Sequence, residues 1–491
     1  MRRASAILVL ALLVGAGLPS SLSAGERTDV VDAFEEGNPF DFHLEPAFRQ
    51  RVERGVIVRE ASGFIERSGC AEGSTEPECN EPATVFEREL DYKRVTSLVD
   101  IEMQFGLHRN LEFHAALPIV ASDRRRLSFA SGVSPQNSTF APSLDRVADD
   151  LDPGVDDLFG DTFGTYRYFD VPDDGVKRSG LGDLRVALAW APFDQAQQPS
   201  AANLMLRLDY VAPTGTPARG ENRGVGRGVH ELQFEVAASR LVSPYLEPYF
   251  ALAFAMPFPS ARGLFADVNN NSVNRAPGAR FDSSAGAEIV LFTDERSGQH
   301  YTFALGLDVG YTLQGRDYSP LFDALAGSSC NGLTAREAGF EDGTDGNAYR
   351  PSADIAPEDA ACAWVVQQPG NVDNDGLGDR ARWSYAADGI TDVEGHGRVG
   401  GHVGLHLQFS EYVGFHLDTQ VAWNAPHFLT FADAGRDANG NLTVDLDPDP
   451  GEGEPVERNP NYNLTYDAVG RRMRIENHVE ILWGARFAFQ F

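Results

Sequence analysis

The chain has 491 residues and a net charge of −31, with 72 acidic residues against 41 basic ones. A balance this acidic argues against nucleic-acid binding, which needs basic patches that face phosphates. It is compatible with an outer-membrane β-barrel, in which acidic residues can occupy solvated loops and the interior while the lipid-facing surface stays uncharged.

The N-terminus has the pattern of a secretory signal peptide over residues 1–24. Arg2 and Arg3 supply the charged start, residues 7–18 the apolar core, and Ser21–Ala24 a cleavage site of small residues. An uncleaved anchor is the alternative, but the apolar run is shorter than the about 20 residues of a spanning helix. We therefore expect an exported chain, either a soluble periplasmic protein or a barrel in an outer membrane.

From residue 41 onward, apolar residues recur at every second position in runs of about ten residues, the length of a tilted membrane-spanning strand. A soluble β-sandwich also alternates, but its strands are usually about five or six residues long. The weakest alternation is that of the first run, residues 41–60. We predict about twelve strands, which start near residues 41, 88, 111, 180, 202, 229, 245, 280, 299, 398, 412 and 474.

The connections between these runs alternate between short turns and long loops. The three longest loops, at about 123–178, 314–395 and 424–470, are rich in Asp, Asn, Gly and Pro, as solvated loops should be. Short periplasmic turns and long external loops are typical of outer-membrane barrels. The predicted fold over residues 25–491 is therefore all-β, a transmembrane antiparallel up-and-down β-barrel with long extracellular loops and both termini in the periplasm.

Charged residues occupy the predicted inward positions of these strands. A salt-bridged network that stiffens the wall is one interpretation, and a path for a substrate is the other. The predicted inward residues are Glu102, Asp183, Arg185, Arg207, Asp209, Asp308, His406, His416, Glu476, His478 and Glu480.

Histidines are concentrated on the last three predicted strands. His402, His406, His416 and His478 are all expected to point inward. A three-residue turn near Glu411 would set His406 opposite His416, close enough to share a transition metal. The alternative is that these histidines are ordinary polar residues of the interior.

Four cysteines occur as two local sets, Cys70 with Cys79 and Cys330 with Cys362. Export implies an oxidising compartment, so we predict two loop disulfides. Zinc binding is disfavoured, because the sequence has no CxxC pair and no histidine near these cysteines.

An oxygen-rich segment of the longest loop follows the spacing of a calcium-binding loop, with side-chain oxygens at positions 1, 3, 5 and 9 and Gly376 at position 6. Arg382 stands where an EF-hand has its final Glu, so a plain acidic turn is the alternative. No other cofactor is predicted. The calcium candidates are Asn371, Asp373, Asp375 and Asp379.

Motifs of catalysis are missing from the sequence. It contains no GxSxG, no HExxH and no phosphate-binding GxxxxGK[ST]. We therefore do not expect an enzyme.

Two hairpins resemble the outer-membrane barrel family named for the meta-pathway of phenol degradation. The first combines Ile101–Leu107 with Leu111–Phe113 and Ala116–Pro118, and the second runs from Ser179–Arg185 to Pro213–Thr216. The similarity extends from about residue 95 to the C-terminus, interrupted by the large loops. It implies a transporter of small, often aromatic, hydrophobic compounds.

The expected function is that of a passive channel or transporter for small molecules in the outer membrane of a Gram-negative bacterium. The alternative is a structural or ligand-binding surface barrel whose long extracellular loops carry the interaction. Phe491 resembles the C-terminal signal by which barrel-assembly machinery recognises its clients. Outer-membrane lipid is the other expected partner, because basic residues such as Arg124–Arg126 collect at the predicted outer rim.

Overall fold

The computed structural model describes residue 28 and residues 42–491, except for 67–79, 109, 135–136, 139–168, 174, 194, 196–200, 221, 261–263, 266–273, 295, 328–388, 411, 434–460 and 462–465. The predicted signal peptide, the four cysteines and the predicted calcium loop at 371–379 lie outside the described residues. They remain predictions from sequence.

Twelve of the sixteen strands in the described residues form one closed antiparallel barrel. Their starting residues agree with the predicted ones to within about two residues, except for the second and the fourth strand. The twelve are β1 (Phe42–Glu66), β2 (Asn80–His108), β3 (Leu111–Phe129), β5 (Leu184–Phe193), β6 (Asn203–Ala212), β7 (Val229–Ser239), β8 (Leu246–Pro259), β9 (Arg280–Asp294), β10 (Gln299–Thr312), β13 (His396–Ser410), β14 (Val413–Asn424) and β16 (Met473–Gln490).

Four short strands and one short helix complete the described secondary structure. They belong to the connections at the outer end of the barrel, and β4 pairs with β3, β15 with β16 and β11 with β12. These elements are β4 (Arg178–Leu181), β11 (Gly315–Asp317), β12 (Thr391–Val393), β15 (His427–Phe428) and α1 (Phe322–Ala326). No helix in this part of the chain is long and apolar enough to cross a membrane.

Pairing of the first barrel strand with the last closes the sheet. Fourteen residues of β1 are in register with β16, from His43 opposite Gln490 to Arg59 opposite Met473. The backbones of Phe42 and Phe491 exchange two further hydrogen bonds, of 3.3 and 3.0 Å. The weakly alternating first strand is therefore a full member of the barrel, and the ring of twelve described strands has no open edge.

The outer and inner faces of the barrel differ in chemistry. On β10, Leu307 is 59% exposed on the outer face, whereas its neighbour Asp308 is 5% exposed on the inner face. The same alternation of exposed apolar and buried small or polar residues runs through β5, β7 and β8. Aliphatic and aromatic side chains thus cover the outside, which is stable only if the surrounding medium is itself apolar.

The interior as the candidate functional site

The inner face of the barrel carries the residues that the sequence analysis singled out. Seven of the predicted inward residues are buried, with exposed fractions between 1% and 9%. Asp183, Arg185 and His478 are half-buried. The seven buried ones are Glu102, Arg207, Asp209, Asp308, His406, His416 and Glu480.

Arg207 is the centre of the first charged cluster. Its Nε atom lies 3.1 and 3.0 Å from the two carboxylate oxygens of Asp209, and Nη2 lies 3.9 Å from Glu102 Oε1. His114 contacts Arg207 at 3.5 Å and Glu102 at 3.1 Å, and its other ring nitrogen contacts Glu112. One guanidinium therefore neutralises carboxylates from two strands, which a buried cluster requires.

Small residues on β5 make this cluster possible. Strand β5 lies between β3 and β6, and its inward residues opposite the cluster are Ala187 and Ala189. Ala189 stands in register with both Glu112 and Arg207. Because a methyl group occupies so little of the inner wall, the Arg207 side chain can reach across β5 to His114 on β3.

Asp183 and Arg185 lie apart from the Arg207–Asp209 pair. The carboxylate of Asp183 accepts hydrogen bonds from the backbone N–H groups of Gly215 and Arg227, both at 2.9 Å. Asp183 therefore holds the β6–β7 connection at the outer end of the barrel. Arg185 faces inward, two residues before Ala187 on β5, and its positive charge stabilises the carboxylate of Glu102.

A second charged cluster joins β1, β2, β3 and β16. Arg94 binds both carboxylate oxygens of Asp123, at 2.8 and 2.9 Å, and approaches Glu53 at 3.6 Å. Arg51 lies 2.9 Å from Glu480 and 3.9 Å from Glu53. The charges again alternate along the wall, so each carboxylate has an arginine within reach.

Tyr249, His402 and Asp308 form a hydrogen-bonded chain on the opposite wall. The Tyr249 hydroxyl contacts His402 Nε2, and His402 Nδ1 lies 2.9 Å from Asp308 Oδ2. Tyr249 belongs to β8 and His402 to β13, so the tyrosine ring must pass over the two strands between them. Gly286 and Gly306 lie under it, where an added Cβ atom would overlap the tyrosine hydroxyl.

The predicted pairing of His406 with His416 is confirmed. The two residues are in register on β13 and β14, and their ring centroids are 5.1 Å apart. His406 contacts Glu288 and Asp418, both at 3.3 Å, which makes it part of a polar network. Among the residues that the structure describes, no group of three or more His, Cys, Asp or Glu side chains is placed to hold a metal ion.

His478 and Glu476 are separated by an irregularity that sequence alternation could not reveal. Asn477 has a positive φ of 49°, and the register with β1 shifts at this point. The extra residue makes a β-bulge, which switches the face of every following side chain. His478 therefore points inward, 6.2 Å from the His427 ring, whereas the prediction that Glu476 points inward is wrong: Glu476 pairs with Arg474 on the outer face.

An apolar cap over the charged interior is the main feature that the sequence analysis missed. Leu321, Phe322 and Leu325, in or beside α1, are at most 1% exposed although they belong to a loop predicted to be solvated. They pack with inward residues at the outer ends of the barrel strands. The two apolar clusters comprise Ile57, Leu90, Tyr92, Leu127, Phe169, Val171, Leu321, Ala324, Leu325, Leu429, Tyr466, Met473 and Ile475, and Ala218, Val229, Phe265, Phe322, Ala326 and Ile390.

Charged groups fix this cap to the barrel. Arg178 is 3% exposed and lies 2.7 Å from Asp323 of α1, and it donates a hydrogen bond of 2.8 Å to the carbonyl of Arg219. The guanidinium groups of Arg125 and Arg178 lie 5.2 and 5.5 Å from the centre of the Phe322 ring. Cation–π contacts of this kind gain strength when the groups are desolvated.

Asp173 makes the stability of the cap sensitive to pH. Burial, together with the nearby Asp323 and Asp170, raises the pKa of Asp173 from 3.8 to about 6, against the opposing effect of a hydrogen bond from Gly175. An acid whose pKa is higher in the folded chain stabilises the fold in its protonated form. Acidification from pH 7 to pH 5 should therefore tighten the cap.

This expectation can be checked by hydrogen exchange. The amide of Leu127 donates to the Asp173 carbonyl at 2.9 Å, so it reports on the contact between cap and wall. After correction for the intrinsic exchange rate, its protection should be greater at pH 5 than at pH 7. In Asp173→Asn, which mimics the protonated acid, the difference should largely disappear. An undiminished pH dependence in this variant would exclude Asp173 as its cause.

The closed sheet, the apolar exterior and the charged interior together define a class of protein. A barrel without edges satisfies all its backbone groups within the lipid, and its polar residues are shielded inside. The chain is a transmembrane antiparallel β-barrel.

Three solved structures are similar to this one at low sequence identity. The COG4313 outer membrane channel from Pseudomonas putida F1 is 9% identical with a TM-score of 0.36, and 91% of this chain and 95% of that one are covered. A FadL homologue from Pseudomonas aeruginosa (8%, TM-score 0.29) and a deletion mutant of the TodX monoaromatic hydrocarbon channel (9%, TM-score 0.29) are covered over 91% of this chain and 90% of theirs. No protein-family model matches the chain, and no curated protein matches its sequence.

Proposed function

We propose that this barrel is a passive channel for small molecules whose outer mouth is closed by the cap. The observation that carries the proposal is the division of the interior into two parts. At mid-height, the charged side chains around Arg207 lie against the inner wall, over the small residues of β5. At the outer end, the interior is closed by the loop residues of the cap and not by barrel strands. Loops, unlike the strands of the wall, can move without breaking the hydrogen bonds that close the barrel.

The chemistry of the outer layer favours apolar cargo. Ile57, Leu90, Leu127, Met473 and Ile475 point inward from the wall and are at most 2% exposed. A molecule that enters past the cap would first meet this apolar layer and then the polar clusters below it. A small, largely apolar compound with one polar group suits such a sequence of surfaces.

Electrical recording in planar lipid bilayers tests the proposal. The wild-type barrel should conduct rarely, because the cap is packed. Phe322→Ala removes a ring that is 0% exposed and lies 4.6 Å from Tyr318, so the cap should loosen and the open fraction should rise at least several-fold. The matched control is Phe250→Ala, which removes a 46% exposed ring on the lipid face and should leave conductance unchanged.

Uptake by intact cells tests the class of cargo. Deletion of the protein should slow the entry of a labelled neutral aromatic compound, and Phe322→Ala should accelerate it. If none of the variants conducts and deletion leaves uptake unaltered, the channel proposal fails and the alternative of a surface-binding barrel is favoured.

A further inference from the structure

A hollow in the inner wall of the barrel lies over Gly484 of β16. Gly484 is in register with Arg49 on β1 and with Asp418 on β14, so a residue without a side chain stands between two charged ones. The space within and above this Gly484 hollow is about 340 Å³, part of which opens into the interior. The other long inward-facing residues that line it are Gln420, Leu482 and Arg486.

The two charged residues beside the hollow are not paired with each other. Arg49 lies 2.7 Å from Asp100, and Asp418 lies 3.3 Å from His406 Nε2. Neighbouring strands are about 4.8 Å apart, so two strand spacings separate Arg49 from Asp418 by about 10 Å between Cα atoms. A small polar group can therefore lie between the guanidinium and the carboxylate and contact both.

The side chain of Gln420 supplies the observation that points to a ligand. Gln420 is 2% exposed, and its Oε1 atom has no hydrogen-bond partner among the residues that the structure describes. Buried carbonyl oxygens are nearly always satisfied, and an unsatisfied one lowers stability. Because Gln420 lines the hollow, a hydrogen-bond donor on a bound molecule can satisfy this oxygen.

The groups around the hollow divide into acceptors on one side and donors on the other. On β14, the Asp418 carboxylate and Gln420 Oε1 accept hydrogen bonds. On the side of β1, Arg49 donates, and Arg486 turns the same way because it binds Glu45 of β1 at 2.6 Å. A carboxylate alone would meet the two acceptors, and an ammonium alone would meet the two guanidinium groups. A head group that carries both charges matches both sides.

We propose that the Gly484 hollow binds a small zwitterion of the α-amino acid type. Its ammonium group lies toward Asp418 and Gln420, and its carboxylate lies toward Arg49. Leu482, two residues nearer the outer end of β16, contacts an apolar side chain of the ligand. The inference rests on the proposed function and deepens it, because it names the polar group that an otherwise apolar cargo carries.

Equilibrium binding of labelled L-phenylalanine to the purified barrel tests this site. Of two competitors with the same ring, 3-phenylpropanoate lacks the ammonium group and 2-phenylethylamine lacks the carboxylate. Each should compete at least tenfold more weakly than unlabelled L-phenylalanine, because a site with fixed polar groups rejects a ligand that leaves one of them unpaired. The proposal is overturned if either competitor binds as tightly as L-phenylalanine.

Two variants that keep the shape of the wall assign the contacts. Asp418→Asn should weaken the binding of L-phenylalanine and of 2-phenylethylamine at least fivefold, without weakening that of 3-phenylpropanoate. A general disturbance of the wall would weaken all three. Gln420→Leu removes the buried acceptor and should also weaken L-phenylalanine. Binding by both variants as tight as that of the wild type would overturn the proposal.

Glu247→Gln is the matched control, because it neutralises another carboxylate of the inner face without touching the hollow. Glu247 belongs to β8 and accepts a hydrogen bond of 2.6 Å from Ser239. Its replacement should leave the binding of L-phenylalanine unchanged. If Glu247→Gln weakened binding as much as Asp418→Asn does, the effect would belong to the charge of the whole interior and the assigned site would be wrong.

Binding and conductance can fail separately. The measurement is repeated on Phe322→Ala, so that a closed cap cannot keep the ligand from the hollow. Conductance by this variant without binding of L-phenylalanine would preserve the channel and overturn the site. Binding without conductance in any variant would preserve the site and overturn the channel.

Discussion

Replacement of Arg207 by Met should destabilise the barrel by about 3–5 kcal/mol, the usual effect of removing one partner from a buried ion pair. Arg207 is 5% exposed and Asp209 1% exposed, so water cannot replace the lost guanidinium. Asp209 and Glu102 would then be buried without their cation. Urea unfolding in detergent micelles, followed by the heat-dependent shift on gels, measures the change.

Arg88 provides the control for this prediction. It forms an ion pair of 2.5 Å with Asp91, but the two side chains are 55% and 41% exposed. Arg88→Met should therefore change the free energy of unfolding by less than about 1 kcal/mol. The double variant Arg207→Met/Asp209→Leu should recover part of the loss, because one stranded carboxylate is removed. Equal effects of Arg207→Met and Arg88→Met would contradict the importance of burial.

Replacement of Gly306 by Leu should have the second large effect, a destabilisation of about 2–4 kcal/mol. A Cβ atom at Gly306 would overlap both the Tyr249 hydroxyl and the His402 ring. Tyr249 would have to leave the wall, and His402 and Asp308 would lose the end of their hydrogen-bonded chain. The free energy of unfolding in urea again measures the loss.

Gly397, on β13, is the control position, because a side chain added there would meet almost no neighbouring atoms. A Cβ atom there would have only the Gly310 carbonyl oxygen nearby, at 4.0 Å. Gly397→Ala should therefore stay within about 0.5 kcal/mol of the wild type. If Gly306→Leu were as mild, Tyr249 would not be held against the wall by the glycines beneath it.

Alternation along the chain was sufficient to predict most of the barrel. Each crossing strand has one face toward lipid and one toward the interior, so the period of two survives in the sequence even where strands differ in length. The register of His406 opposite His416 followed from parity and a short turn. The sequence thus predicted the inward direction of the candidate residues on β2, β5, β6, β10, β13 and β14. Apart from the His406–His416 pair, it did not predict which side chains they contact.

Local irregularities and three-dimensional packing limited the rest. The Asn477 bulge changes the parity of β16, and no residue pattern marks it. The contact of Arg207 with His114 depends on the small side chains of Ala187 and Ala189, which lie on the strand between them. Phe322 and its neighbours lack any periodic pattern, because a five-residue helix is too short to have one. The cap was therefore missed, although its isolated apolar residues in an acidic loop were a signal.

The pairing of β1 with β16 has a consequence for the time course of folding. Arg486 binds Glu45 at 2.6 Å across 441 positions of the chain, so this contact is among the most remote in sequence. The free edge of β1 must wait through the synthesis and export of almost every other strand before its partner arrives. Such non-local closure is slow, and an exposed strand edge meanwhile invites pairing with other chains. Before the barrel closes, the chain therefore passes through a long-lived intermediate with two open strand edges. These edges must be kept from pairing with other chains until β1 meets β16.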